Sequence, residues 1–329
     1  MRSIRAGRWT VAQVAAALAA AATAWVVLLV LPSASEGSGA ATRGPTFESH
    51  WQDGKAELAG YRYHVTRYGQ PRTGTAVMIT VTEPFRASKR VKADDPNVNP
   101  ADTFEALKLN LVRDFRTGIY DYKTMISAFC RSRDFSPVKV AFSAAEWCGQ
   151  VYEEIEFEPH RTTDLVRSYF EDESAARTMQ WKKGGVPEDL LFVLVRGLRG
   201  DFLKPGEKRD FPFLPSPFTS RLAHTPMAWT TATAERSAGS ERLRVPAGEF
   251  QADVFTVRVA DGRVGRFWIE RAYPHRVLQW AWTPSPKPAS RMGADGADGG
   301  ELTGTKRLAY WQLHANGDER ELRGLGLRD

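Results

Sequence analysis

From Glu57 onward the side chains alternate between wet and dry at a period of two, which restricts the chain to β structure with one solvated face. Tyr61, Tyr63 and Val65 alternate with Arg62, His64 and Thr66, and a Gly69-Gln-Pro71 turn leads into Val77, Ile79 and Val81. Leu107, Leu109 and Leu111 alternate with Lys108 and Asn110, after which Arg116-Thr-Gly118 turns the chain into Tyr120, Tyr122, Thr124 and Ile126. Further strands are predicted over 138–142, 147–157 and 162–170, and again over 229–234, 242–245, 250–259, 265–270, 277–282 and 302–313. The strongest hairpin signal is Asp261-Gly262. No fixed-period repeat is evident, which argues against a propeller or solenoid.

One helix interrupts this pattern. Pro187 suits a first-turn position, Glu188 and Asp189 complement the helix dipole, and Leu190, Leu191, Val193, Leu194, Val195 and Leu198 follow before a stop at Gly200. A helix over 187–199 that is apolar nearly all round belongs against a sheet, out of solvent. Residues 201–224 carry Pro205, Pro212, Pro215 and Pro217 among Phe202, Phe211, Phe213 and Phe218, and read as an extended crossing between a first half (45–185) and a second (225–325). The expected fold is mainly β: a single domain over 45–325, built as a curved antiparallel sheet, an open or half barrel, wrapped over one main helix. A sandwich is the competing arrangement.

Ahead of this domain, Arg2, Arg5 and Arg8 precede an uncharged stretch from Trp9 to Leu31. Such a stretch lies between a signal peptide core of ~7–15 residues and the ~20 residues of a spanning helix. Residues 1–40 are therefore read as a signal peptide or an N-terminal membrane anchor with linker; Ser33-Ala-Ser35 and Ser38-Gly-Ala40 offer cleavage sites. Either outcome exports the domain to the periplasm or cell envelope, with membrane contact through the segment if it is uncut. The formal charge is +6, and subtracting the three leader arginines leaves about +3, interspersed along the chain. No basic stripe for a phosphate backbone results, so nucleic acid is not an expected partner.

Cys130 and Cys148 are the two cysteines. In an oxidising compartment a bridge closing a loop of roughly twenty residues is worth ~3 kcal/mol, though a hairpin pairing them would centre on Lys139, inside a predicted strand. Two buried thiols are the other reading.

Period two places Glu154, Glu156, Glu158 and His160 on one face, with Ile155 and Phe157 toward the core. These groups can hold a hard cation or act as acid and base; they equally suit a solvated salt-bridge face paired with a residue such as Arg167. Same-face neighbours nearly 7 Å apart favour the salt-bridge face over a metal. The acid and glycine run from Asp295 to Glu301 lacks a full set of calcium ligands and reads as a linker. Ser136-Pro-Val-Lys139 matches a Ser-x-x-Lys tetrad by chance, without its companion Lys-Thr-Gly. No catalytic signature, cofactor motif or metal motif stands out.

Glu146-Trp-Cys-Gly149, Val245-Pro-Ala-Gly-Glu-Phe250 and Tyr273-Pro-His-Arg276, with Leu302-Thr-Gly-Thr305 and Tyr310-Trp311, resemble a family of exported bacterial β proteins without assigned function, often labelled septum formation inhibitors. The match runs from about Phe47 to about Leu325. The Val-Pro-Ala-Gly-x-Phe hairpin more distantly resembles periplasmic lipoprotein carriers (LolA/LolB-like folds). That resemblance implies a half barrel around an apolar cavity. Five tryptophans lie between Trp229 and Trp311, suiting either a large core or a cavity wall. The functional expectation is a non-enzymatic envelope protein holding a lipid or other hydrophobic small molecule between sheet and helix, lined by Leu190, Leu194, Trp268 and Trp280. An envelope scaffold binding another protein through a sheet edge or the Pro/Phe segment is the alternative; a hydrolase or metal-dependent enzyme using the Glu154 to His160 face is a third.

Overall fold

The computed structural model describes residues 46–285 and 297–327. The leader and its cleavage sites lie outside these residues, as does Asp295. Among the described residues the chain runs through helix α1 (Phe47–Trp51) and strands β1 (Ala56–Arg67), β2 (Gln70–Arg86), β3 (Val91–Lys92), β4 (Thr103–Thr117), β5 (Tyr120–Arg131), β6 (Pro137–Glu146), β7 (Gly149–Phe157), β8 (Arg161–Ser168) and β9 (Ala175–Gln180). It continues through β10 (Val186–Pro187), helix α2 (Leu191–Leu194), β11 (Lys208–Leu214), helix α3 (Pro217–Ala223), β12 (Thr230–Val245), β13 (Gly248–Val259), β14 (Val264–Glu270), β15 (Val277–Thr283) and β16 (Asp298–Leu308).

All these strands join one sheet, in the order β10-β11-β12-β13-β14-β15-β16-β1-β2-β4-β5-β6-β7-β8-β9, with β3 on β2. Every pairing is antiparallel except the two-residue contact of β10 with β11. The order is the chain order cut and rejoined: β16 pairs with β1 from Ala56 opposite Leu308 to Val65 opposite Asp298, so both ends of the domain meet inside the sheet. The free edges are β9 and β10, which follow one another in sequence. Residues 181–185 join them, and a connection this short spans at most ~20 Å. The sheet therefore curls until its edges face each other, yet does not close into a barrel, as the period-two pattern predicts for a curved sheet.

Alternation puts one apolar row after another on the concave side. Ala59, Met78, Leu111, Ile126, Phe142, Glu153 and Val166 stand opposite one another on β1, β2, β4, β5, β6, β7 and β8, and all are buried. Into this concavity the chain feeds the segment after β10. Leu190, Leu191, Phe192, Val193 and Val195 are all buried there, and Phe192 meets Phe267 and Trp280 edge-on at 5.4 and 5.5 Å.

The helix expected over 187–199 is shorter than its sequence suggests. Pro187 belongs to β10, a 3-10 turn covers Glu188–Leu190, and α2 ends at Leu194. Tertiary partners outcompete helix propensity here. Glu188 accepts from the Ser216 amide at 3.1 Å and pairs with Arg263 at 3.1 Å, while Arg196 donates to the carbonyls of Pro274 (2.9 Å) and His275 (3.0 Å). Gly197 then turns the chain at φ +60°. The crossing segment is also more ordered than expected: it holds β11 and α3, with Ser216 capping the Phe218 amide. Pro212 is tolerated because β11 is bonded on its second side only at Phe213 and Leu214, leaving it edge-like.

Where the chain ends meet, a buried polar cluster crosses the interior. Asp298 accepts from Tyr63 Oη at 2.5 Å and Trp280 Nε1 at 2.9 Å, and Arg113 Nε lies 3.3 Å away. Asp298 and Glu301, read as linker, are the first and fourth residues of β16 instead, with Glu301 paired to Arg62. Pairing with β1 supplies the order that a Gly-rich composition does not.

The disulfide expectation is corrected. Both cysteines are free, Cys130 buried and Cys148 exposed. Cys130 lies opposite Pro137 at one end of β6, and Cys148 follows Glu146 at its other end, so a ten-residue strand of ~33 Å separates them. Burial raises the Cys130 thiol pKa well above its usual range. Thiol titration with Ellman's reagent is expected to find one fast-reacting cysteine in the native chain and two after unfolding; none before reduction would signal a bridge. Asp298→Ala strands Arg113 without its counter-charge and is expected to cost about 3–5 kcal/mol in urea unfolding. A loss below about 1 kcal/mol would mean that the cluster does not tie the chain ends together.

Candidate functional site

The interruption between β9 and β10 carries the most distinctive concavity. Past Gln180 the chain leaves the sheet at Trp181 and makes a tight turn in which the Gly185 amide bonds Lys182 O at 2.8 Å. Trp229 lies across this turn, edge-on to Trp181 at 5.3 Å. A Cβ on Gly185 would sit 2.7 Å from the Trp229 ring, so glycine is what allows the indole to close over the backbone. Beside this turn runs a groove of ≈ 510 Å³. Its apolar walls include Trp181, Leu190, Leu194, Phe202, Phe211 and Pro212, with Lys183, Arg209 and Asp210 among its polar lining.

Two of the four residues expected to line a cavity, Leu190 and Leu194, therefore face this groove. Trp280 and Trp268 do not. Trp280 is fully packed between Tyr61 (4.9 Å) and Phe192, with its indole N–H spent on Asp298. Trp268 sits on β14, donating to Glu241 at 2.5 Å under the guanidinium of Arg266 at 4.7 Å. Of the two readings of the tryptophans, Trp280 takes the core.

The carboxylates of β7 and the turn after it form a salt-bridge face. Glu154 pairs with Lys139 at 3.2 Å and accepts from Tyr152 Oη at 2.7 Å; Glu156 pairs with Arg90 at 3.3 Å, and Glu158 with Arg161 at 2.9 Å and Arg90 at 3.6 Å. The basic partners come from β6, from the start of β8 and from the β2–β4 connection, while Arg167, the partner anticipated from sequence, donates to the Val166 carbonyl at 3.2 Å. His160 is exposed at the turn, and the described residues contain no group of three or more His, Cys, Asp or Glu side chains that could hold a metal ion.

Sequence reasoning missed the acid on the other side of the same strand. Glu153 has the parity of Val151, Ile155 and Phe157, and so points into the interior between Phe142 and Val166. Burial first, then the negative charge of Asp164 and a hydrogen bond to it, push its carboxyl pKa up to about 8, against the opposing pull of Arg177. Arg177 is held at 3.1 Å by Asp164 Oδ2, and the buried Asp164 Oδ1 accepts no hydrogen bond. Glu153 therefore keeps its proton at neutral pH beside the Asp164 carboxylate. Glu153 also lines a cavity of ≈ 90 Å³, shared with Arg177, Arg221 and a His224–Glu173 pair at 2.6 Å. That volume holds about three water molecules and no acyl chain. Asp189 is the second perturbed acid: burial and the neighbouring Glu188 raise it to about 7, with the Ser216 hydroxyl and Arg113 opposing.

A broader hollow of ≈ 960 Å³ lies on the sheet between β4 and β9, lined by Met125, Ser143, Gln150, Tyr152, Arg167 and Tyr169. Around it the hairpin tips expose Ile119 (82%), Trp147 (69%) and Tyr169 (71%). Unlike the groove, it sits on an intact hydrogen-bonded ladder and reaches no part of the interior segment.

Compared with protein-family models, with curated proteins and with solved structures, the chain matches none. What the site does is therefore argued from its own chemistry.

The two raised acids generate a pH dependence. Each keeps in the folded chain a proton that the unfolded chain releases above about pH 4.5, so folding stability declines as pH rises from there to about 8 and levels off beyond. Glu153→Gln preserves a neutral side chain of the same shape. It is expected to remove about one proton from that decline, on the order of 1 kcal/mol per pH unit. Urea midpoints measured across this range check it, and an unchanged slope would show that Glu153 ionises normally.

Proposed function

We propose that this is an exported envelope protein that holds a lipid or other hydrophobic small molecule in the groove beside the β9–β10 connection, without catalysing a reaction on it. The observation that supports the reading most is where the groove lies. It is bordered by the connection between the sheet's two free edges, by β10 and β11 and by the turn into β6, and Leu190 and Leu194 of the interior segment form part of its wall. A ligand there replaces missing contacts without breaking any strand pairing. Its ≈ 510 Å³ falls in the range of small-molecule sites, ~300–1,000 Å³, and aromatic and aliphatic side chains with a few polar groups at the rim are the usual lining. The resemblance of the Val245 to Phe250 hairpin to lipoprotein carriers points the same way. Export rests on the basic and apolar leader.

A second reading, an envelope scaffold for another protein, draws on the exposed tips Ile119, Trp147 and Tyr169 beside the outer hollow and on the free edge of β9. The Pro/Phe segment no longer contributes to that alternative, because Phe211, Phe213 and Phe218 are buried.

Native mass spectrometry of the full-length protein, extracted from its host's envelope, separates the two. A copurifying amphiphile is expected on the wild type, with its occupancy cut severalfold in Leu194→Trp, which fills the groove. A ligand-free monomer that takes up no added amphiphile and captures a partner protein, lost in Trp147→Ser, would replace the first reading with the second.

A further inference from the structure

We propose that the groove selects an amphiphile with an anionic head, a carboxylate or phosphate on an alkyl chain; this rests on the reading of the groove as a hydrophobic-ligand site. The apolar walls alone would accept any oily molecule, and the discrimination lies at the mouth. Lys183 and Arg209 line it, with Lys182 and Lys208 next to them in the chain. No carboxylate pairs with Lys182, Lys183 or Lys208 among the described residues. Lys55, Lys89, Lys92 and Lys204 likewise have no carboxylate partner, whereas Lys108, Lys123, Lys139 and Lys306 do. Arg209 donates one N–H to the Phe202 carbonyl at 3.0 Å and lies 4.5 Å from the Phe202 ring centre, which holds the guanidinium over the groove wall with further donors to spare.

The acid that faces the same space is Asp210, and it accepts the Thr233 hydroxyl at 2.5 Å. It offsets one of the two cationic side chains that line the groove, Lys183 and Arg209, and the exposed Lys182 next to Lys183 in the chain leaves the mouth net positive. Donors without acceptors above an apolar trough suit an anion with a tail. A neutral head leaves the lysines idle, and a cationic head is repelled.

Isothermal titration of the full-length protein with dodecanoate, dodecyl phosphate, dodecyl maltoside and dodecyltrimethylammonium, each below its micellar concentration, tests this. The two anions are expected to bind about tenfold more tightly than the maltoside, and the ammonium more weakly than either. That advantage should shrink between about 0.02 and 0.5 M salt, since exposed charges are screened. It should vanish in Lys182→Glu/Lys183→Glu with maltoside affinity unchanged, a substitution of exposed residues that leaves the melting temperature as a check on folding. Dioctanoyl phosphatidylglycerol distinguishes the source: binding tighter than dodecyl phosphate assigns the head to a diacyl lipid, weaker binding to a single-chain anion, and both support an anionic head. Equal affinity for anion and maltoside overturns the head-group inference while the groove keeps its role. Failure of every amphiphile to bind overturns the groove's role as well.

Discussion

The pairing of β1 with β16 is the contact on which the rest of the architecture depends. A meander laid out in chain order has its two free edges at its first and last strands. Here those strands are bonded to each other, so the edges move to the middle of the chain, at β9 and β10. The cluster around Asp298 fastens this join from inside, because Tyr63 comes from β1, Trp280 from β15 and Arg113 from β4. A buried carboxylate that meets two neutral donors and a guanidinium is fully engaged, and removing it would leave a buried cation without compensation.

Moving the edges to mid-chain has a structural consequence. The connection between β9 and β10 is too short to let them drift apart, and the segment after β10 runs straight into the concavity. That segment is the plug of the curved sheet. Its polar ends are satisfied by tertiary partners, Glu188 by Arg263 and Ser216, Arg196 by Glu57 at 2.9 Å and by two carbonyls. The groove is what remains where the plug leaves the edge, walled on one side by sheet and on the other by the plug.

The polar groups of the interior divide into two kinds. Those at the chain-end join are charged and paired, whereas Glu153 sits in an otherwise apolar row and keeps its proton. The distinction follows from neighbours: Asp298 has Arg113, but Glu153 meets the like charge of Asp164, which already holds Arg177. Parity along β7 was sufficient to find Glu153, since Glu154 and Glu156 alternate with it. The three outward acids are neutralised by Arg90, Lys139 and Arg161.

Much of the fold was written locally. Period-two alternation, the turn residues and the Pro/Phe segment are short-range signals, and a strand with one wet face must pair and bury the other face wherever it ends up. Those signals sufficed for a curved, mainly antiparallel sheet around an interior segment, and for Leu190 and Leu194 on that segment. Long-range matters were decided only in three dimensions: that β16 returns to β1, that ten residues of β6 hold Cys130 and Cys148 apart, that Trp280 is core, and that Lys183 and Arg209 line one groove. None of these leaves a mark within a window of ten residues. Each depends on which distant strand a residue faces, and that is settled by the collective register of the sheet.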